Sequence, residues 1–180
     1  IKIEPARWYM HCDREGILVW QDLPSPNLPS GYEDYAKKNF EDESKRIITA
    51  FRNHPSIIQW VVFNEGWGQF DTERMTQIVI SEVGQSLVCC ASGWVDAPIG
   101  DIKDSHSYPN PSCPLDETRA GVCGEYGGIT LKVQGHIWPG GDFQYTTVET
   151  GKDFTVLFNN LADKVIDHYY YGLNAAVYTQ

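Results

Sequence analysis

The sequence predicts an α/β fold built on parallel strands, and three observations predict it. Short apolar runs alternate with longer amphipathic stretches, which is the strand-then-helix rhythm of such folds. The run Ile57-Ile58-Gln59-Trp60-Val61-Val62-Phe63 is nearly continuous and β-branched, as expected of a strand covered on both faces. Two strand runs end in a glutamate among small or polar residues, Asn64-Glu65-Gly66 and Gly124-Glu125-Tyr126-Gly127-Gly128. In parallel α/β folds the chemistry gathers at such C-terminal strand ends.

Each element has its own local justification. Residues 4–14 read as a helix stopped by Gly16, and 17–20 as a short buried strand. Pro24, Pro26 and Pro29 force an irregular loop. Residues 32–51 are helical, with Tyr35, Phe40, Ile47, Ile48 and Phe51 as the apolar stripe, until Asn53-His54-Pro55 ends the helix. After the strand at 57–63 comes a helix over 71–83 capped by Asp71, then strands at 87–91, 102–106 (weaker) and 120–123. A loop rich in glycine and aromatics covers 127–147, a helix covers 152–171 and is closed by Gly172, and 175–178 is a last strand. Six strands with intervening helices suit a parallel sheet. A chain that ends on a strand, with no helix after it, reads as an excerpt of a longer one.

Composition narrows the function. The 180 residues are 42% hydrophobic and 21% charged, enough to bury a core, and the net charge of −10 argues against nucleic acid or an anionic membrane as partner. No apolar run approaches the roughly 20 residues of a membrane-spanning helix. The five cysteines, Cys12, Cys89, Cys90, Cys113 and Cys123, are odd in number and lack zinc-ligand spacing, so they read as mostly buried small hydrophobes. Aromatic residues make up 13%, enough for rings that line a site as well as rings that fill a core.

An ionised carboxylate at the end of a buried run is costly unless it has partners or a task. Either glutamate alone reads as an ordinary carboxylate at a solvated rim. Two in equivalent positions point instead to acid/base or nucleophilic chemistry by a carboxylate pair, of which glycoside hydrolysis is the leading example.

The segments KIEPARWYMHCDREGILVWQD, FRNHPSIIQWVVFNEGWGQFD, DSHSYP and GEYGG, in this order, resemble the catalytic barrel of glycoside hydrolase family 2. The resemblance implies a (β/α)8 TIM barrel, here incomplete (about strands 3–8), with residues 1–180 a partial catalytic domain of a larger multidomain glycosidase. It implies Glu65 as general acid/base and Glu125 as nucleophile. It further implies that Asn64 holds the sugar 2-hydroxyl and that Tyr108 donates a hydrogen bond to Glu125. His106 is a candidate contact for a sugar hydroxyl, or equally a structural histidine; Asp22 matches a position that holds remote hydroxyls in mannosidase-like members. Tyr178 falls where relatives place an aromatic under the ring, and Trp67, Trp94 and Trp138 either stack on sugar faces or pack at the rim. Arg7, Arg52 and His54 are assigned to structure, supporting the carboxylates from behind.

The loop Gly135-His136-Ile137-Trp138-Pro139-Gly140 departs from the form of the well-known galactosidases and glucuronidases, which leaves the sugar open. The expected function is a retaining glycoside hydrolase that cleaves a terminal β-linked sugar, β-galactosidase-like first. The alternatives are a β-glucuronidase or β-mannosidase specificity, or a carbohydrate-binding barrel without catalysis. No cofactor or metal is expected. The expected partners are an oligosaccharide or glycoside and the remaining domains of the longer chain; the two open edges of an incomplete barrel also favour a homo-oligomer.

Overall fold

The computed structural model describes residues 2–24, 34–137 and 145–179, which fall in two compact units, Ile1–Ile102 and Lys103–Gln180. Pro26, Pro29, the first two residues of the helix expected from 32, and Trp138 lie outside the described residues.

The first unit runs α1 (Ala6–Glu15), β1 (Val19–Asp22), α2 (Asp34–Phe51), β2 (Ile57–Asn64), α3 (Thr72–Val83) and β3 (Leu87–Ser92). Its sheet has the order β1-β2-β3, with both pairs parallel. The central place of β2 explains its unbroken apolar run: Trp60, Val61, Val62 and Phe63 are all buried. Tyr9, Phe40, Ile48, Met75 and Val79 of the three helices join Trp60, Val62 and Phe63 in one core. Each such side chain contributes about 1.5–3 kcal/mol by leaving water.

The structure departs from the sequence expectation at three places in this unit. The first strand starts at Val19 rather than residue 17, because Gly16 takes the left-handed conformation (φ 70°) and the turn leaves Ile17 and Leu18 exposed. Tyr35 is 81% exposed and is not part of the α2 stripe. It precedes Phe40 by five positions, about 140° round a helix of 3.6 residues per turn. Asp71 stands at the start of α3 with φ 41° and makes no capping bond, its carboxylate lying 3.6 Å from Arg74 instead. A capping residue needs extended backbone to aim its oxygen at the first turn, and this one lacks it.

Polar ties fasten the helices of this unit. Glu41 of α2 accepts from Lys45 at 2.8 Å and from Arg74 of α3 at 2.7 Å, and these two cations hold its carboxyl down at about 2. The Asp13 carboxylate meets His54 Nδ1 at 2.6 Å and accepts the Ser56 N–H at 3.0 Å.

The second unit contains β4 (Ile102–Ser107, its first residue the last of unit one), β5 (Ala120–Gly127), β6 (Ile129–Leu131), β7 (Thr146–Val148), α4 (Gly151–Tyr170) and β8 (Ala175–Thr179). Its sheet has the order β4-β5-β8, and β8 runs parallel to β5 with Val122 opposite Ala175 and Tyr126 opposite Tyr178. The stretch expected as loop over 127–147 contains two strands, β6 and β7, paired in parallel. Their β-branched Ile129, Thr130, Thr146, Thr147 and Val148 favour that conformation, but the long separation hides the pairing in a local reading. A small core of Cys123, Tyr126, Ile129, Leu161 and Leu173 holds the unit together.

The architecture is therefore α/β with parallel pairing, and the described strands form separate sheets rather than a closed barrel. The five cysteines are buried, except for the half-buried Cys113. No described helix is long and apolar enough to cross a membrane.

Candidate active site

In the first unit the chemistry-bearing residues collect where β2 leaves the sheet. Asn64 is the last residue of β2, opposite Ser92 of β3, and Ser92 Oγ donates to Asn64 Oδ1 at 2.8 Å. The chain then turns at once, with Trp67 N–H bonded to Asn64 O at 3.0 Å and positive φ at both central residues, Glu65 (52°) and Gly66 (78°). That is the sign pattern of a mirror-image β-turn, which costs a non-glycine residue about 1–2 kcal/mol. Glu65 is held in it by its own N–H, which continues the ladder to Ser92 O at 2.9 Å. Such strain at a carboxylate that ends a buried strand is characteristic of functional positions. Trp67 is 54% exposed, and its Nε1–H donates to Glu65 Oε2 at 3.4 Å.

Asp22 ends β1 half-buried, opposite Val61, and Trp94 is exposed just beyond β3. Arg52 and His54 are structural, as expected: Arg52 donates to the Glu82 carbonyl at 2.9 Å and His54 is tied to Asp13, so both fasten helices. Arg7 is exposed on α1.

In the second unit three side chains converge on the end of β5. Tyr108 donates its phenol proton to Glu125 Oε2. Burial, followed by this bond to Glu125, pushes the Tyr108 phenol well above its ordinary 10.0, so it stays a donor through the neutral range. The Tyr108 ring stacks on Tyr145, with centroids 3.7 Å apart and planes 4° from parallel. His106 is buried on β4 and puts Nδ1 3.6 Å from Glu125 Oε2. Asp104, two residues earlier on the same face, is also buried, and its Oδ1 accepts the Gly124 N–H at 2.7 Å. Tyr178, half-buried on β8, lies edge-on to Tyr126 and Phe158 in the small core.

Thus Tyr108, His106 and Glu125 come together within their unit, as do Asn64, Glu65 and Trp67 within theirs. The sequence reading missed Ser92, Tyr145 and Asp104. A signal existed for Asp104: alternation along β4 puts it on the face of Ile102 and His106, an unusual place for a carboxylate.

No protein-family model matches the chain. Among curated proteins, a 75-residue segment (41% of this chain, 9% of the relative) is 32% identical to β-mannosidase B of Emericella nidulans. A longer match, 27% identical over 124 residues, covers 58% of this chain and 19% of the β-galactosidase large subunit of Lactobacillus acidophilus. Among solved structures, the family 2 β-galacturonidase of Eisenbergiella tayi bound to galacturonate superposes with a TM-score of 0.65 at 16% identity, covering 96% of this chain and 35% of that one. The chain thus resembles glycoside hydrolase family 2, and it spans a minor part of the length of each of these proteins. Relatives named as glycosidases do not favour a purely sugar-binding barrel.

Proposed function

We propose that this chain is the strand-three-to-eight portion of a (β/α)8 catalytic barrel in a larger retaining β-glycosidase, with Glu125 as nucleophile and Glu65 as acid/base. The observation that carries the reading is the Tyr108 phenol donating to Glu125 at the end of a buried strand, the partner that the resemblance implies for a glycosidase nucleophile. A phenol that keeps its proton orients the carboxylate without competing for its task as an anion.

In the first step Glu125 forms a bond to the anomeric carbon as the bond to the leaving oxygen breaks, and Glu65 gives that oxygen its proton. In the second step water attacks the anomeric carbon, Glu65 takes the proton of the water, and the bond to Glu125 breaks. Asn64, whose side-chain oxygen accepts from Ser92, is assigned to the 2-hydroxyl of the sugar. His106, Asp22, Trp67, Trp94, Trp138 and Tyr178 are assigned to substrate contacts around this pair. The substrate is a glycoside or oligosaccharide with a terminal β-linked galactose-like sugar. A β-mannosidase specificity is the second reading, favoured by the segment shared with the fungal β-mannosidase B.

Azide rescue in the full-length protein tests the roles, after a screen with aryl β-galactoside, β-mannoside, β-glucuronide and β-glucoside. Glu125→Ala is expected to lose turnover and to regain it with azide, giving a product of inverted configuration. Glu65→Ala is expected to retain activity on activated aryl glycosides and to give the azide product of retained configuration. The opposite stereochemistry would reverse the two roles, and loss of thermal stability in both variants with no response to azide would make both residues structural.

A further inference from the structure

We propose that Asp104 is a positioning residue that sets the place of Glu125 through the backbone of β5; this rests on the reading of Glu125 as the nucleophile. Its side chain is 1% exposed, in a strand where a carboxylate is expensive to bury without compensation. One oxygen, Oδ1, accepts the N–H of Gly124 at 2.7 Å, the peptide immediately before Glu125. The other, Oδ2, lies 4.0 Å from Nε2 of His106, whose opposite nitrogen is 3.6 Å from Glu125 Oε2. One buried carboxylate therefore touches the main chain on one side of Glu125 and faces the imidazole on the other.

The contact is tight enough to dictate the sequence. A Cβ at residue 124 would fall 2.2 Å from Asp104 Oδ2 and 2.6 Å from Oδ1, so glycine at this position leaves the room in which the carboxylate sits. An N–H bonded to a buried carboxylate is a charge-assisted bond, about twice as strong as a neutral one. A nucleophile misplaced by about 1 Å loses rate by about 100-fold, even when the altered residue never meets the substrate. Asp104 holds the peptide one residue before the reacting group and has the geometry to prevent such a shift.

The test uses the full-length protein and its inactivation by the 2-deoxy-2-fluoro-β-glycosyl fluorides of galactose, mannose, glucuronic acid and glucose, which trap a glycosyl ester on the nucleophile. Wild type is expected to be labelled at Glu125 by peptide mapping; if none of the four reagents labels it there, the nucleophile reading falls and this inference with it. Given that label, Asp104→Leu, which removes the acceptor, is expected to be labelled about 100-fold more slowly with the substrate KM within about threefold of wild type. Asp104→Asn keeps an acceptor oxygen for Gly124 and is expected within about fivefold of the wild-type rate. Should the leucine variant not fold, Asp104→Glu decides, because it keeps charge and acceptor but moves both by one methylene, with a loss of about 10-fold or more expected. A wild-type labelling rate in the deciding variant, or an Asp104→Asn rate as low as that of leucine, overturns the proposal while leaving Glu125 as nucleophile.

Discussion

Tyr108→Phe removes one oxygen and leaves the ring, so it isolates the hydrogen bond to Glu125 from the packing around it. The ring that stacks on Tyr145 at 3.7 Å is kept. What disappears is a phenol donor to a carboxylate. Bonds to charged groups are worth about 1.5–3 kcal/mol, and each 1.36 kcal/mol is a factor of ten in rate. If the whole of that interaction serves the glycosylation step, kcat/KM on an aryl β-glycoside falls about 10- to 150-fold. The assay is initial-rate kinetics on purified full-length protein, with the melting temperature followed in parallel. A loss below about threefold would refute the reasoning, since the phenol would then not matter to the reacting carboxylate. So would a loss matched by collapse of the fold, which would make Tyr108 a packing residue. The same substitution carries a pH signature. The phenol is raised above its ordinary 10.0 in the folded protein, so its contribution to stability is complete below about pH 10 and is lost as pH rises beyond it. Wild type is therefore expected to lose stability more steeply than Tyr108→Phe above pH 10 in denaturant titrations.

Three further outcomes follow from the two units. Glu41, lowered from 4.5 to about 2 by Lys45 and Arg74, contributes stability that is present above pH 4.5 and lost as pH falls toward 2. Glu41→Gln should cost about 1 kcal/mol at pH 7, discounted for the exposure of Arg74, and nothing near pH 2 by chemical denaturation; an equal cost at both pH values would show that the carboxylate's charge is irrelevant. Gly66→Ala places a Cβ at φ 78°, 2.7 Å from Val95 Cγ2, and should cost about 1–2 kcal/mol even when combined with Val95→Ala, because the backbone penalty remains after the contact is relieved. Full recovery in the double variant would mean that contact alone set the cost. Gly121→Ala would put a Cβ 1.9 Å from the Pro114 carbonyl oxygen, a backbone atom that cannot rotate away, so limited proteolysis should open the second unit in preference to the first. Equal protection of both units in that variant would contradict the contact.

What the sequence determined by itself was the order and type of the long elements and the position of the two glutamates. The run from Ile57 to Asn64 could be read because a central parallel strand buries both faces, so its composition records its place in the sheet. Gly16 and Gly172 announced the ends of their helices by local backbone preference. Tyr108 was legible only through resemblance, since nothing local connects it with a carboxylate 17 residues later. The tertiary structure alone decided the rest, in each case because the cause lies far away along the chain. Tyr35 satisfies a hydrophobic count yet points to water, since helix phase and not composition selects the buried side. His54, assigned to structure, finds its partner in Asp13, 41 residues away. The short strands Ile129–Leu131 and Thr146–Val148 exist through each other, and neither is long enough to declare itself. Asp104 falls on the inward face of its strand by alternation, but its partner is decided only when that strand is laid against β5, where the N–H of Gly124 meets the buried carboxyl. Propensity and periodicity act over a few residues, whereas the pairing that makes a buried carboxylate tolerable is fixed only when two strands from different parts of the chain meet.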